Sequence, residues 1–200
     1  AESWADFFAA LFYRVLGAGA PLVLDPSRPA LAPLFSEVLA RELADPQASV
    51  NAINAAGVQL NRLGFRPQLG RGQGATNLFI TTVEDGLPRR RLLRYEDGLF
   101  FAGEQRFGRQ DLLHILDSEP GRITPAAGLR PVAQDAVLPT SAFVVGPGEL
   151  RYLAQMREVY RHHEVSQPAI RLRSEVTLLE PPVSRILDKL GVEPAEYQAD

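Results

Sequence analysis

The feature that most constrains this chain is a change of hydrophobic period at Gly64. Before it, apolar residues recur at helical spacing: Trp4, Phe7, Phe8, Leu11, Phe12 and Val15, then Leu31, Leu34, Phe35, Val38, Leu39 and Leu43, then Val50, Ile53, Val58 and Leu60. After it come short extended pieces, Phe65–Leu69, Asn77–Val83, Arg90–Tyr95 and Gly98–Phe101. Glu84-Asp85-Gly86 and Glu96-Asp97-Gly98 separate them, and Asp-Gly pairs are strong hairpin turns. A chain that switches in this way reads as an α/β core carrying a small inserted antiparallel β-containing unit.

The spacing predicts a first helix from Trp4, with Ser3 and Asp6 as a capping box, stopped by Gly17 and Gly19. Pro21–Asp25 reads as a short buried strand ending in an Asp-Pro turn. A second helix is expected over Ser27–Ala44, regular only late because of Pro29 and Pro33. A third runs from Pro46 to about Leu63, and Gly108–Ser118 returns to helix. The strand Ala142–Val145 leads through Gly146-Pro147-Gly148-Glu149 into a helix from Gly148 to about His162. Strands Ala169–Leu172 and Glu175–Leu179 follow, then a helix from Pro181 or Pro182 to Leu190, ended by Gly191, and a frayed tail Ala195–Asp200. The expected units are residues 1–63 and 129–200 as the α/β core and residues 64–128 as the inserted β-rich connective unit.

Two hundred residues suffice for one sizeable domain with a real core. A net charge of −3 exerts no overall pull towards nucleic acid or an anionic membrane, so neither is an expected partner. With no cysteine, disulfides, thiolate metal sites and a cysteine nucleophile are excluded. No run approaches the ~20 apolar residues that span a bilayer. The beginning carries Glu2 and Asp6 where a secretion signal would be basic, which fits a cytoplasmic location. The single methionine is Met156, so a processed chain or a piece of a longer one is expected.

Gly146-Pro147-Gly148-Glu149 admits two readings. Unpaired N–H groups at a helix start accept a carboxylate or phosphate, and glycines allow close approach. Equally, Pro147 and Glu149 are good first-turn residues, with Glu149 complementing the dipole itself. Arg130, Gln134 and Asp135 lie four and five apart, so on a helix they would share roughly one face. They are a grip for a carboxylate and an amine or hydroxyl, or a surface pair worth little. His114, His162 and His163 show no zinc spacing, and no metal site is expected; a histidine pair at a helix end suits the dipole. Arg89, Arg90, Arg91 and Arg94 read as a solvated edge strand. Arg171 and Arg173 are strand decoration or two guanidiniums at the mouth of a site.

These residues carry a resemblance. Arg130, Pro131, Gln134, Leu138, Pro139, Thr140, Gly146, Pro147, Gly148, Glu149 and Tyr152 stand in the order of the signature region of the bacillithiol-biosynthesis cysteine-adding enzymes. Pro21–Pro26, Asn77-Leu78-Phe79 and Arg171–Glu180 resemble further pieces of that family, so the likeness covers essentially the whole chain. It implies a Rossmann-like core related to class I aminoacyl-tRNA synthetases, interrupted by connective segments. It implies a ligase joining cysteine to the amine of glucosaminyl-malate, with ATP as an activating co-substrate by analogy only and a homodimer as the intact form. The substrate-binding candidates are Arg130, Gln134, Asp135, Thr140 and Tyr152 with Gly146, Gly148 and Glu149. Asn77 and Arg173 join them from the flanking pieces. The resemblance assigns no catalytic residue. The family's N-terminal Gly-Gln-Gln and Gly-Glu-Asp-His-Asp segments and its long helical coiled coil are absent from these residues, so this chain by itself is expected to be inactive. Val145 stands where many members have Gly or Ala and would narrow the approach to the turn. A non-catalytic module that binds small anions is the other reading.

Overall fold

The computed structural model describes residues 3–26 and 28–194. The first helix is α1, Trp4–Leu16, with the Ser3 hydroxyl accepting from the Asp6 amide at 3.1 Å. A 3-10 turn, Ala32–Phe35, leads into α2, Ser36–Ala44. The late start follows from Pro29 and Pro33, and the expected first residue, Ser27, lies outside the described residues, as does the tail 195–200. Next comes α3, Ala48–Arg62.

Strands β1, Ala75–Glu84, and β2, Leu87–Glu96, form a hairpin, and β3, Leu99–Ala102, joins β2 through a second tight turn. Both turns place an aspartate and a glycine at positive φ: Asp85 at 52° and Gly86 at 75°, Asp97 at 50° and Gly98 at 83°. Two consecutive left-handed residues match the twist of an antiparallel ribbon, which is why Asp-Gly specifies these hairpins. Adding β4, Gln105–Phe107, and β5, Ile123–Pro125, gives an antiparallel sheet ordered β4-β3-β2-β1-β5. With three residues each, β4 and β5 are too short to show a period in the sequence. Strand β2 is internal, so its arginines do not mark a sheet edge.

Helix α4, Arg109–Ser118, packs against α2. Then follow α5, Arg130–Val137, β6, Ala142–Val145, α6, Pro147–Leu153, α7, Arg157–His162, and β7, Ala169–Leu172. Strands β6 and β7 pair in parallel, with α6 and α7 as the crossover. The last helix is α8, Pro181–Leu190, ended by Gly191 in the left-handed conformation. Leu43, Ile53, Leu78, Ile80, Leu93, Leu112, Leu129, Leu153 and Met156 meet in one buried cluster between helices and sheet. The architecture is thus mixed α/β, combining an antiparallel sheet with a parallel β-α-β pair.

Three expected strands are not strands. Pro21–Asp25 runs extended without a neighbouring strand, and the Val23 amide donates instead to the Tyr13 hydroxyl at 2.9 Å. Glu175–Leu179 is exposed throughout. Phe65–Leu69 gives two of its amides to a side chain: Gln155 Oε1 accepts from the Gln68 and Leu69 amides, each at 2.9 Å. Gln155 Nε2 donates to the Leu69 carbonyl at 2.8 Å and the Ile53 carbonyl at 3.2 Å. The same residue explains why the helix expected over Gly148–His162 is two helices: Ala154–Met156 turns so that Gln155 is fully buried.

Gln155→Ala strands four backbone groups inside the protein, and a loss of about 2–3 kcal/mol is expected from urea unfolding. Leu178→Ala, at a side chain 87% exposed, should change stability by less than ~0.5 kcal/mol.

Candidate functional site

The Ala126 carbonyl accepts from the Leu129 amide at 2.9 Å and from the Arg130 amide at 2.8 Å, which starts α5. Pro131 follows in the first turn, where its missing N–H costs nothing. Pro131, Val132 and Ala133 are buried. Arg130 and Gln134, one helical turn apart, open onto a cavity of about 550 Å³ walled by Leu24, Pro26, Phe35, Leu39, Ile123 and Leu138. Arg130 forms no side-chain ion pair or hydrogen bond with any described residue. A second guanidinium on the rim is fixed: Arg90 donates to Thr124 Oγ1 at 3.1 and 3.2 Å and lies 4.0 Å from the centre of the Phe79 ring.

Asp135 is not with them. Five residues advance a helix by ~140° beyond one full turn, enough to carry the carboxylate to another side. Its Oδ2 accepts from the Tyr160 hydroxyl at 2.5 Å. Burial first, then this bond, pushes the Tyr160 phenol far above its ordinary pKa. Asp135 and Thr140 face a second, polar cavity of about 530 Å³ with Glu37, Arg41 and His163.

Strand β6 ends at Val145, whose side chain is fully buried in the core, so it does not narrow the approach to the turn. The Gly146 amide donates to Glu149 Oε2 at 2.9 Å. The helix start is therefore capped from within, and this amide is not free for a ligand. Gly148 is exposed with open space around it. Because β6 and β7 are parallel, their carboxyl ends coincide, and the Arg173 amide donates to the Val145 carbonyl at 2.9 Å. The Arg173 guanidinium sits 3.3 Å from where a Cβ on Gly146 would stand. In open parallel sheets ligands bind at this end of the strands. Tyr152 lies in electrostatic range of both Glu149 and Arg130; burial and Glu149 raise its pKa while Arg130 lowers it. Arg130, Gln134, Glu149 and Tyr152 thus share one region, with Arg173 on the adjoining turn.

Asn77 is fully buried. Its Oδ1 accepts from Arg71 Nε at 3.0 Å and its Nδ2 donates to Glu42 Oε1 at 3.3 Å. Glu42 Oε2 accepts from Ser49 Oγ at 2.7 Å and from His163 Nε2 at 2.9 Å. Nothing in the sequence singles out Glu42 or Ser49, and His163, expected only to complement a helix dipole, is buried against a carboxylate. Two further arginines of β2 are paired with glutamates. Arg94 pairs with Glu96 at 2.6 Å, and hydrogen bonding from Arg91 holds Glu84 down at about 2. No group of three or more histidines and carboxylates able to hold a metal occurs among the described residues.

The two charges near Tyr152 give opposite expectations. Glu149→Gln should lower the titration midpoint of Tyr152 and Arg130→Ala should raise it, read as tyrosinate absorbance against a Tyr152→Phe control. Shifts in the same direction would place one of the charges elsewhere.

Residues 1–174 match the family described as bacillithiol biosynthesis BshC, N-terminal Rossmann-like domain. A protein of Thermus thermophilus named "Putative cysteine ligase BshC" is 47% identical over 194 residues, covering 97% of this chain and 39% of the relative. Proteins with the same name from Salinibacter ruber and Heliobacterium modesticaldum are 36% and 32% identical, over 96% and 97% of this chain and 35% and 36% of their own lengths. The chain spans less than two-fifths of these curated relatives. On a match that runs from the first helix through the parallel strand pair, the chain belongs to the BshC family.

Proposed function

We propose that the protein containing these residues is a ligase that joins the carboxyl group of cysteine to the amine of glucosaminyl-malate, in the cytoplasm. One observation carries this reading: an unpaired arginine and an unpaired glutamine amide stand one turn apart at the mouth of a cavity with largely apolar walls. A guanidinium fork suits a malate carboxylate, and the Gln134 amide suits a sugar hydroxyl. Phe35 and Leu39 offer apolar surface to the C–H face of the sugar ring. Tyr152, its pKa raised, keeps its proton through neutral pH and serves as an O–H donor.

Amide formation from a free carboxylate needs an activated carboxyl, and ATP is the reagent suggested by analogy. The Gly146 amide is taken by Glu149 and is not free to receive a phosphate. The work of these residues is to bind and orient the acceptor. Among the described residues, no helix is long and apolar enough to cross a membrane.

The test uses the full-length protein with glucosaminyl-malate, cysteine and ATP, with product read by mass spectrometry. Product is expected. Arg130→Ala should raise KM for glucosaminyl-malate by roughly 10–100-fold, the worth of a charged hydrogen bond, and leave KM for cysteine in place. Wild-type kinetics in that variant would remove Arg130 from the site. Calorimetric binding of glucosaminyl-malate without product would instead make the protein a binding module.

A further inference from the structure

We infer that Asn77 is a positioning residue which, through Gly128, sets where α5 begins and so where Arg130 stands at the cavity mouth. The inference rests on the reading of Arg130 as an acceptor-binding group. Asn77 is fully buried, so it acts on a ligand only through its neighbours.

The geometry leaves the loop before α5 little freedom. The Asn77 carbonyl accepts from the Ala126 amide at 2.8 Å, and the Ala126 carbonyl in turn accepts from the Leu129 and Arg130 amides. Between those contacts Gly128 lies directly on the Asn77 side chain. A Cβ at Gly128 would stand 2.3 Å from Asn77 Oδ1, 3.0 Å from Asn77 Cγ and 2.7 Å from Ile53 Cδ1. Glycine is required here for space, since its φ is not in the left-handed region.

What Gly128 rests on is itself held at both ends. Arg71 Nε donates to Asn77 Oδ1 while Asn77 Nδ2 donates to Glu42, which Ser49 and His163 hold from α3 and the end of α7. The amide therefore cannot turn aside to admit a larger residue without breaking these hydrogen bonds. Any group that enlarges position 128 must lift the loop, and the first turn of α5 with it. Gln134, a turn later on the same helix, moves with Arg130.

The test is a double-mutant cycle in the full-length protein. Gly128→Ala is expected to raise KM for glucosaminyl-malate about tenfold with KM for cysteine unchanged, and to add nothing in an Arg130→Ala background. In the same variants without substrate, Gly128→Ala should move the Tyr152 titration in the direction that Arg130→Ala moves it, again with no further shift in the double variant. Should Gly128→Ala not fold, Asn77→Ser alone takes its place in the cycle. Additive effects of Gly128→Ala and Arg130→Ala, or a folded Gly128→Ala with both readouts unmoved, overturn the positioning role. Arg130→Ala with wild-type kinetics sinks the acceptor site instead, and the Tyr152 titration still reports whether Gly128 moves Arg130.

Discussion

Glu42 lies at the centre of the helical layer with both carboxylate oxygens occupied and its side chain removed from water. Burying a charged group is costly unless donors replace the water it loses. Those donors come from three separate parts of the chain, Ser49 on α3, Asn77 on β1 and His163 at the end of α7. A hydrophobic cluster alone would let these elements slide, because apolar contact has little direction. Hydrogen bonds to one carboxylate fix their distances and angles together. His163 Nδ1 is left without a protein partner, so the network is not satisfied at every atom.

The carboxylate also links the two kinds of sheet. Strand β1 belongs to the antiparallel sheet and supplies Asn77, whereas α7 belongs to the crossover between the parallel strands. The helix bearing Arg130 lies between, attached to β1 through Ala126. Position of the candidate site is thus inherited from interior polar chemistry, and only its outer surface is made of groups that could meet a ligand. The Gly-Pro-Gly-Glu turn illustrates the same division: Glu149 satisfies the helix start, while Arg173 lies over the turn from the neighbouring strand.

What could be read in the sequence follows from how local each cause is. The Asp-Gly hairpins and the Ser3 cap depend on a few consecutive residues, and each occurs where it was expected. The pairing of Arg130 with Gln134 needs only the helical repeat. The departure of Asp135 needs that repeat applied strictly, at five residues instead of four. Strands are harder, because an extended apolar piece becomes a strand only if a neighbour accepts its backbone. Pro21–Asp25 found a tyrosine hydroxyl and Phe65–Leu69 a buried glutamine. Glu42 and Gln155 were illegible for a related reason: each is an ordinary polar residue in a helical stretch, and its importance comes from partners distant in sequence.

The extended segment that failed to become a strand has its own consequence. Leu24 and Pro26 form one wall of the Arg130 cavity, and they come from backbone outside any sheet ladder. That wall is fastened to α1 by the Tyr13–Val23 hydrogen bond and by the ion pair of Arg28 with Asp6. Helix α1 has no buried residue and presents Trp4, Phe7, Phe8 and Leu11 outward. A tilt of that helix would therefore be carried along the segment, as by a lever, to the wall of the cavity.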